Sequence, residues 1–294
     1  MCKNEPGNEV FLQARDYLVS GQLFSMCRCP HCGLVITNPR PDADELSSFY
    51  QSNDYLSHAT KASTCTELIY MAVKHLMLSR KVRFLKQWVQ RGDRMLDIGT
   101  GTGDFPQRMK RAGLQALAIE PEEKAAEVAR KKGVEVYADL QAMGPENMKS
   151  FAMITMWHVL EHMPDPNKHL NKIRGLLLED GLLVVAVPMI NSYDASFYRQ
   201  YWAAYDLPRH LLHFSSETLV KLVENHGFKL IKKRSLPFDA FYISLLSETH
   251  MKVLPKPVAW LRAIYAGLVS TMAYWSGRRP ASSQVFVFGP KFAP

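Results

Sequence analysis

The stretch Met95-Leu96-Asp97-Ile98-Gly99-Thr100-Gly101-Thr102-Gly103-Asp104 decides the fold. Its first residues form a short apolar strand, and three glycines at alternate positions carry the chain into a helix that runs through Ala112. Glycine permits the tight turn and lets a ligand approach the backbone where a Cβ would collide. No Lys-Ser/Thr pair follows, which argues against a phosphate-binding P-loop. The G-x-G-x-G spacing also departs from the G-x-G-x-x-G of dinucleotide sites.

Outward from this loop, strands and helices alternate. Strands are expected at 114–119, 134–138, 151–157 and 182–187, with helices at 122–132 and around 168–178. Gly133 ends the first of these helices. Strands joined by helical crossovers predict an α/β fold with a parallel sheet covered on both faces. A helix at 219–227 and a strand at 228–234 follow, and 284–288 is expected as a final edge strand. Upstream, Leu68, Met71, Leu78, Val82, Leu85 and Val89 mark one face of a long helix over 63–91. His75 lies on that face and reads as core-adjacent. Residues 1–60 look irregular, with aromatic residues around Tyr50 and Tyr55. The expected division is an amino-terminal cap (1–62), a central domain (63–238), an apolar helical insert (239–281) and a final strand and tail (282–294).

Composition narrows the class. The chain has 294 residues, 36 Lys+Arg against 28 Asp+Glu and hence a net charge of +8. At 47% hydrophobic and 22% charged residues it is neither disordered nor a multi-span membrane protein. Five cysteines are too few for a disulfide-stapled secreted scaffold, and residues 1–10 lack the order of a signal peptide. A reduced, cytoplasmic location is therefore expected. The positive surplus points to acidic partners without choosing among nucleic acid, anionic lipid and phosphorylated metabolites.

Two acids stand at strand ends behind the glycine loop. Glu120 closes the second strand, where a carboxylate can accept hydrogen bonds from both hydroxyls of a ribose. Asp139-Leu140 follows the third, where an acid and an apolar neighbour suit an adenine ring. On these residues the sequence resembles the class I S-adenosylmethionine-dependent methyltransferases, in the branch holding ubiquinone-biosynthesis-type O-methyltransferases and sugar methyltransferases. The resemblance covers about residues 25–235. It rests on Leu96 to Gly103, on Trp157-His158-Val159-Leu160-Glu161-His162, and on 177–188 with Gly181 in its turn. It extends to Asp206-Leu207-Pro208-Arg209-His210-Leu211 with His213-Phe214, and to Cys29-Pro30-His31-Cys32-Gly33-Leu34. Ala152 departs from the pattern, since many relatives carry Asp there.

The resemblance implies a Rossmann-like, doubly wound, mostly parallel seven-stranded sheet and S-adenosylmethionine as cofactor. Gly99, Gly101 and Gly103 would lie against its methionine part, Glu120 on the ribose, and Asp139 and Leu140 near the adenine. Asp97, Thr100, Pro121, Trp157 and His158 complete the implied cofactor set. Methyl transfer from a sulfonium asks the protein mainly to align the acceptor and exclude water, and a hydroxyl acceptor gains from a base of near-neutral pKa. His158, His210 and His213 are the candidates for that base.

His158, Glu161 and His162 would share one face if their segment is helical. The string also matches the H-x-x-E-H of inverted zinc proteases, but Pro164 interrupts the long helix which that motif requires. Pocket lining is expected of the three, ahead of a divalent-cation site, and simple packing of the loop is the third reading. Arg209 is open to two readings, an anchor for an anionic substrate or a structural tie.

Cys29-Pro30-His31-Cys32 is half a zinc knuckle, and Cys2, Cys29 and Cys32 are the candidate zinc ligands, with Cys27 or His31 as substitutes. Sugar methyltransferases of this branch carry such a zinc domain, so here the segment looks eroded or truncated. The competing reading is buried thiols, as for Cys65. In the insert, residues 263–277 are uncharged but too short to span a bilayer. Trp260, Tyr265, Tyr274 and Trp275, flanked by Lys252, Lys256, Arg262, Arg278 and Arg279, suit peripheral membrane contact through 253–279 or a lid over an apolar substrate. A helix pair packed on the domain, or a dimer contact, is the other reading.

The expected activity is methylation of a small-molecule acceptor, most readily at oxygen, on a quinone-, phenol- or sugar-like substrate, by a monomer or homodimer. The alternatives are an RNA methyltransferase and a non-catalytic cofactor-binding module. Strand four lacks the Asn/Asp-Pro-Pro-aromatic motif used on exocyclic amines, and the basic residues are dispersed, which disfavours nucleic acid.

Overall fold

In a computed structural model, which describes residues 5–49, 65–236 and 238–291, the glycine loop leaves the central strand of a seven-stranded sheet. That strand, β4 (Arg94–Ile98), is followed by β5 (Gln115–Ile119), β6 (Glu135–Tyr137), β7 (Phe151–Trp157), β8 (Leu177–Pro188), β10 (Phe228–Ser235) and β11 (Ser283–Pro290). Their order across the sheet is β10-β11-β8-β7-β4-β5-β6. The five strands from β8 to β6 run parallel, whereas β11 pairs antiparallel with both β8 and β10. The strand expected at the edge, 284–288, is therefore interior. Its residues are buried on both faces, while β10 turns Lys229, Lys232 and Lys233 to solvent and takes the edge.

Period-two alternation builds a core on each face. Leu96, Ile98, Ile154, Met156, Leu183 and Val185 point to one side, where α5 (Pro166–Leu176) and α7 (Ser216–Glu224) cover them. Met95, Met153, Val184 and Ala186 point to the other, towards α2 (Cys65–Leu85) and α3 (Asp104–Arg111). The helix starts are written locally. Asp165 and Ser215 cap α5 and α7 by accepting from the Lys168 and Thr218 amides. Glu122 does the same for α4 (Glu123–Lys131).

The amino-terminal segment is not irregular. β1 (Val10–Arg15), β2 (Leu23–Arg28), β3 (Val35–Asn38) and the two-residue β9 (Leu212–His213) form a second, antiparallel sheet, with α1 (Ala43–Ser48) after β3. Its last strand comes from far along the chain, so the cap could not be read as a unit from contiguous residues. Its apolar face packs on α6 (Tyr193–Tyr198) and on Trp202 and Tyr205. The insert is a helical hairpin, α8 (Asp239–Met251) and α9 (Lys256–Trp275). Cys2, Tyr50 and Tyr55, and the side chains of Cys65 and Leu68, lie outside the described residues. His75 is exposed rather than core-adjacent, and its Nδ1 lies 2.8 Å from the Arg108 guanidinium of α3. Met71 is exposed as well.

Candidate active site

The three loop glycines do different work. All have positive φ, at 69°, 56° and 73° for Gly99, Gly101 and Gly103. A Cβ on Gly99 would collide with the Val159 side chain, and one on Gly103 would lie 2.6 Å from Ala129 Cβ. A Cβ on Gly101 would meet nothing within 4 Å. Thus Gly99 and Gly103 are demanded by packing, whereas the space over Gly101 is open. Glu120 braces the loop from the end of β5. One carboxylate oxygen accepts from the Gly101 amide at 2.6 Å and the other from Glu122 at 3.1 Å. Burial pushes its pKa up against these two bonds.

Asp97 stands beneath the loop and accepts from the Thr155 hydroxyl at 2.6 Å. Burial raises its pKa to about 6. Asp139 is exposed and accepts from the Ala142 amide at 2.8 Å, Leu140 is buried in the core, and Pro121 is exposed. Trp157 ends β7 edge-on to Phe105, at 5.5 Å between ring centres, with Lys81 of α2 4.1 Å over its ring. The cofactor candidates Gly99 to Gly103, Glu120 and Trp157 thus gather where the parallel strands β4, β5 and β7 end.

The segment after β7 packs against the same loop through Val159. It is a 3-10 turn, Leu160–His162, rather than an α-helix. His158 takes a left-handed backbone, φ 57°, and donates its amide to Ala186. Its ring is clamped between two carboxylates, with Glu161 Oε1 3.5 Å from Nδ1 and Asp239 Oδ2 3.5 Å from Nε2. Packing around the ring would lower its pKa, but Asp239 and Glu161 raise it to about 9. Glu161 is 1% exposed. Burial would push its carboxyl up, yet the surrounding imidazoles of His158, His210 and His162 hold it below the usual range.

Glu161, His162 and His210 bring one potential ligand atom each to within 4.8 Å of one another, so a divalent ion could be held there. His162 and His210 each use Nδ1 on a backbone carbonyl, of Arg209 at 3.0 Å and Ala204 at 2.9 Å. Their rings meet edge to face at 4.6 Å. Burial lowers the His162 pKa to about 4.

Two candidates are placed in the frame. His213 is buried in β9, its Nε2 2.9 Å from Thr37 Oγ1, while that hydroxyl donates to the His210 carbonyl at 2.6 Å. Burial drops its pKa to about 3. Arg209 is 2% exposed and pairs with Asp16 at 3.2 Å and Asp206 at 2.7 Å, so it ties the cap to the domain and has no face for a substrate anion. At the other end, Cys29 and Cys32 flank a tight turn whose Gly33 amide donates to the Cys29 carbonyl. Their expected zinc partner Cys2 lies outside the described residues. Among the described residues, the cluster of three metal-type ligands is at Glu161, not at the knuckle.

Sequence reading missed Asp239 and Lys81. Lys81 had a signal, since it interrupts the apolar stripe of Leu78 and Leu85 at helical spacing. Asp239 had none, because only the fold returns the insert to His158.

A methyltransferase-domain family model matches residues 72–233. The chain is similar to C-methyltransferase NovU of Streptomyces niveus, 28% identical over 48% of this chain and 34% of that one. It is also similar to a ubiquinone biosynthesis O-methyltransferase of Xanthomonas oryzae pv. oryzae, 33% identical over 36% of this chain and 46% of the relative. The matched stretch thus spans less than half of either relative's length. In fold it resembles a Burkholderia thailandensis 1,6-didemethyltoxoflavin-N1-methyltransferase with bound S-adenosylhomocysteine. That match has TM-score 0.53 and 15% identity, over 95% of this chain and 100% of the other. A Haemonchus contortus phosphoethanolamine N-methyltransferase 2 with S-adenosyl-L-methionine matches at TM-score 0.54 and 17% identity, over 88% and 63%.

Proposed function

From the premise that this chain belongs to the class I S-adenosylmethionine-dependent methyltransferases, we propose that it methylates the hydroxyl oxygen of a small, phenol-like acceptor. The residues fit the cofactor. Gly101 leaves the space its methionine part needs, Glu120 offers two carboxylate oxygens for the ribose, and Asp139 with Leu140 would border the adenine. When bound, S-adenosylmethionine supplies a methyl group already activated on sulfur.

The observation that carries the acceptor reading is the His158 ring held between Glu161 and Asp239 beside the loop. With a pKa raised to about 9, its imidazole matches a phenolic hydroxyl of pKa about 10, so proton transfer to the ring is nearly balanced. An alkyl hydroxyl is far less acidic, which favours a quinol- or phenol-like acceptor over a sugar. The two carboxylates then hold the imidazolium while the new oxygen–carbon bond forms. His162 and His210 line the other side of Glu161, His162 as a neutral imidazole, and we give His213 no part in the reaction. The same reading puts the protein in the cytoplasm, where its clustered thiols stay reduced.

Two measurements test this. Calorimetry should give S-adenosylmethionine binding that weakens by roughly tenfold or more in Glu120→Ala. In a panel of phenols, sugars and carbon acids, phenols should be methylated. For them kcat should climb with pH and level near 9, because the protonated His158 cannot take the hydroxyl proton. His158→Gln should lower kcat by about 10²–10⁴ while leaving cofactor affinity alone. Methylation of carbon acids only, or an unchanged rate in His158→Gln, would overturn the acceptor reading.

A further inference from the structure

The helical insert wears its apolar residues on the wrong side for a packed helix. Towards the domain, α9 buries Ala259, Ala263, Ala266, Gly267 and Ser270, all small. Outward it turns Trp260, Leu261, Tyr265, Leu268, Met272 and Trp275, each about half exposed or more, with Leu261 at 68% and Trp275 at 76%. These positions lie on one side of a helix about 30 Å long. A surface helix of a globular domain normally shows the opposite pattern, and an apolar face this long marks a contact.

The hairpin is held rigidly in that pose. Glu248 of α8 accepts two bonds from Arg262 of α9, at 2.7 and 2.6 Å, and one from the Tyr198 hydroxyl at 2.9 Å. Buried Asp194 accepts from Trp202, from Ser270 of α9 and from Ser282 just before β11. The apolar face is therefore presented by a fixed element.

Charge identifies the partner. From residue 249 to the end of the chain there is no Asp or Glu, while Lys252, Lys256, Arg262, Arg278, Arg279 and Lys291 are all cationic. Arg262 is committed to Glu248, but Lys252, Lys256 and Arg278 are exposed at the two ends of α9. A second copy docked on this face with the helices antiparallel would set cations against cations, with no acid in the element to answer them. No helix among the described residues is long and apolar enough to cross a membrane. We propose that α9 lies in the plane of an anionic lipid surface, its Trp, Leu and Met side chains entering the acyl boundary and its terminal cations resting on the headgroups.

The test is co-sedimentation of the full chain with vesicles of phosphatidylcholine alone or mixed with phosphatidylglycerol, with tryptophan emission followed in parallel. The expected result is partition at least roughly tenfold stronger with phosphatidylglycerol, weakened by salt, with a blue shift from Trp260 and Trp275. Leu261→Asp with Trp275→Ser should abolish it. Lys252→Glu with Lys256→Glu should remove the anionic preference. These side chains face solvent, so the variants should keep the wild-type melting temperature and S-adenosylmethionine affinity, which separates failure here from failure of the proposed activity. Equal partition into both vesicle types, no partition, or a homodimer dispersed by Leu261→Asp would overturn the proposal.

Discussion

Gly101 and Gly103 share a left-handed backbone and differ in what surrounds them. An alanine at 101 meets the cost of positive φ, about 1–2 kcal/mol, and its Cβ enters open space, which the proposed cofactor would need. An alanine at 103 carries the same cost and drives Cβ to 2.9 Å from the Ala129 backbone, which cannot step aside. Gly101→Ala should therefore lose S-adenosylmethionine binding with a modest fall in stability. Gly103→Ala should cost about 3 kcal/mol or more before binding is considered. Calorimetric titration beside urea unfolding separates the two, and equal losses of stability would contradict this division. The glycine spacing was legible in the sequence. Which glycine faces open space was not, because that depends on Val159 and Ala129 arriving from elsewhere.

At the scale of elements, Asp194 is the staple of the insert. Its carboxylate is fully buried and receives the Trp202 indole and two serine hydroxyls from three separate segments. Asp194→Ala leaves three buried donors without an acceptor, a loss of about 3–5 kcal/mol and a melting temperature lower by roughly 10 °C. Circular dichroism melts would check this, and a shift of under a few degrees would show the hairpin held by packing alone. The insert itself was readable as helical and apolar. Its outward-facing aromatic row was not, since periodicity reports that a helix has two faces and not which one the domain covers.

Across the whole molecule, the second sheet is the element that joins distant sequence. Arg209 bonds Asp16 of the cap, and His213 of β9 bonds Thr37 of β3. His213 is neutral when folded, its pKa lowered to about 3 from the ordinary 6.5. Below pH 6.5 the unfolded chain takes up a proton that the native chain refuses, so stability from this site is complete above 6.5 and drains as pH falls towards 3. His213→Gln keeps a donor for Thr37 without the titration. It should lose less stability than the wild type on acidification, as urea midpoints on either side of pH 6.5 would show. Parallel slopes would place the acid sensitivity elsewhere.

The sequence by itself determined the parallel sheet, the glycine loop after β4 and the acid at the end of β5. Those features are written in near neighbours: alternating apolar residues, a glycine run, a carboxylate at a strand end. Only the tertiary structure decided that His158 is gripped by Asp239, that Arg209 and His213 belong to the frame, that β11 is interior, and that α9 shows its large apolar side chains to the outside. Each of these is a contact between residues far apart in the chain, or the absence of one. Such contacts follow from how faces are covered, which no local pattern of residues encodes.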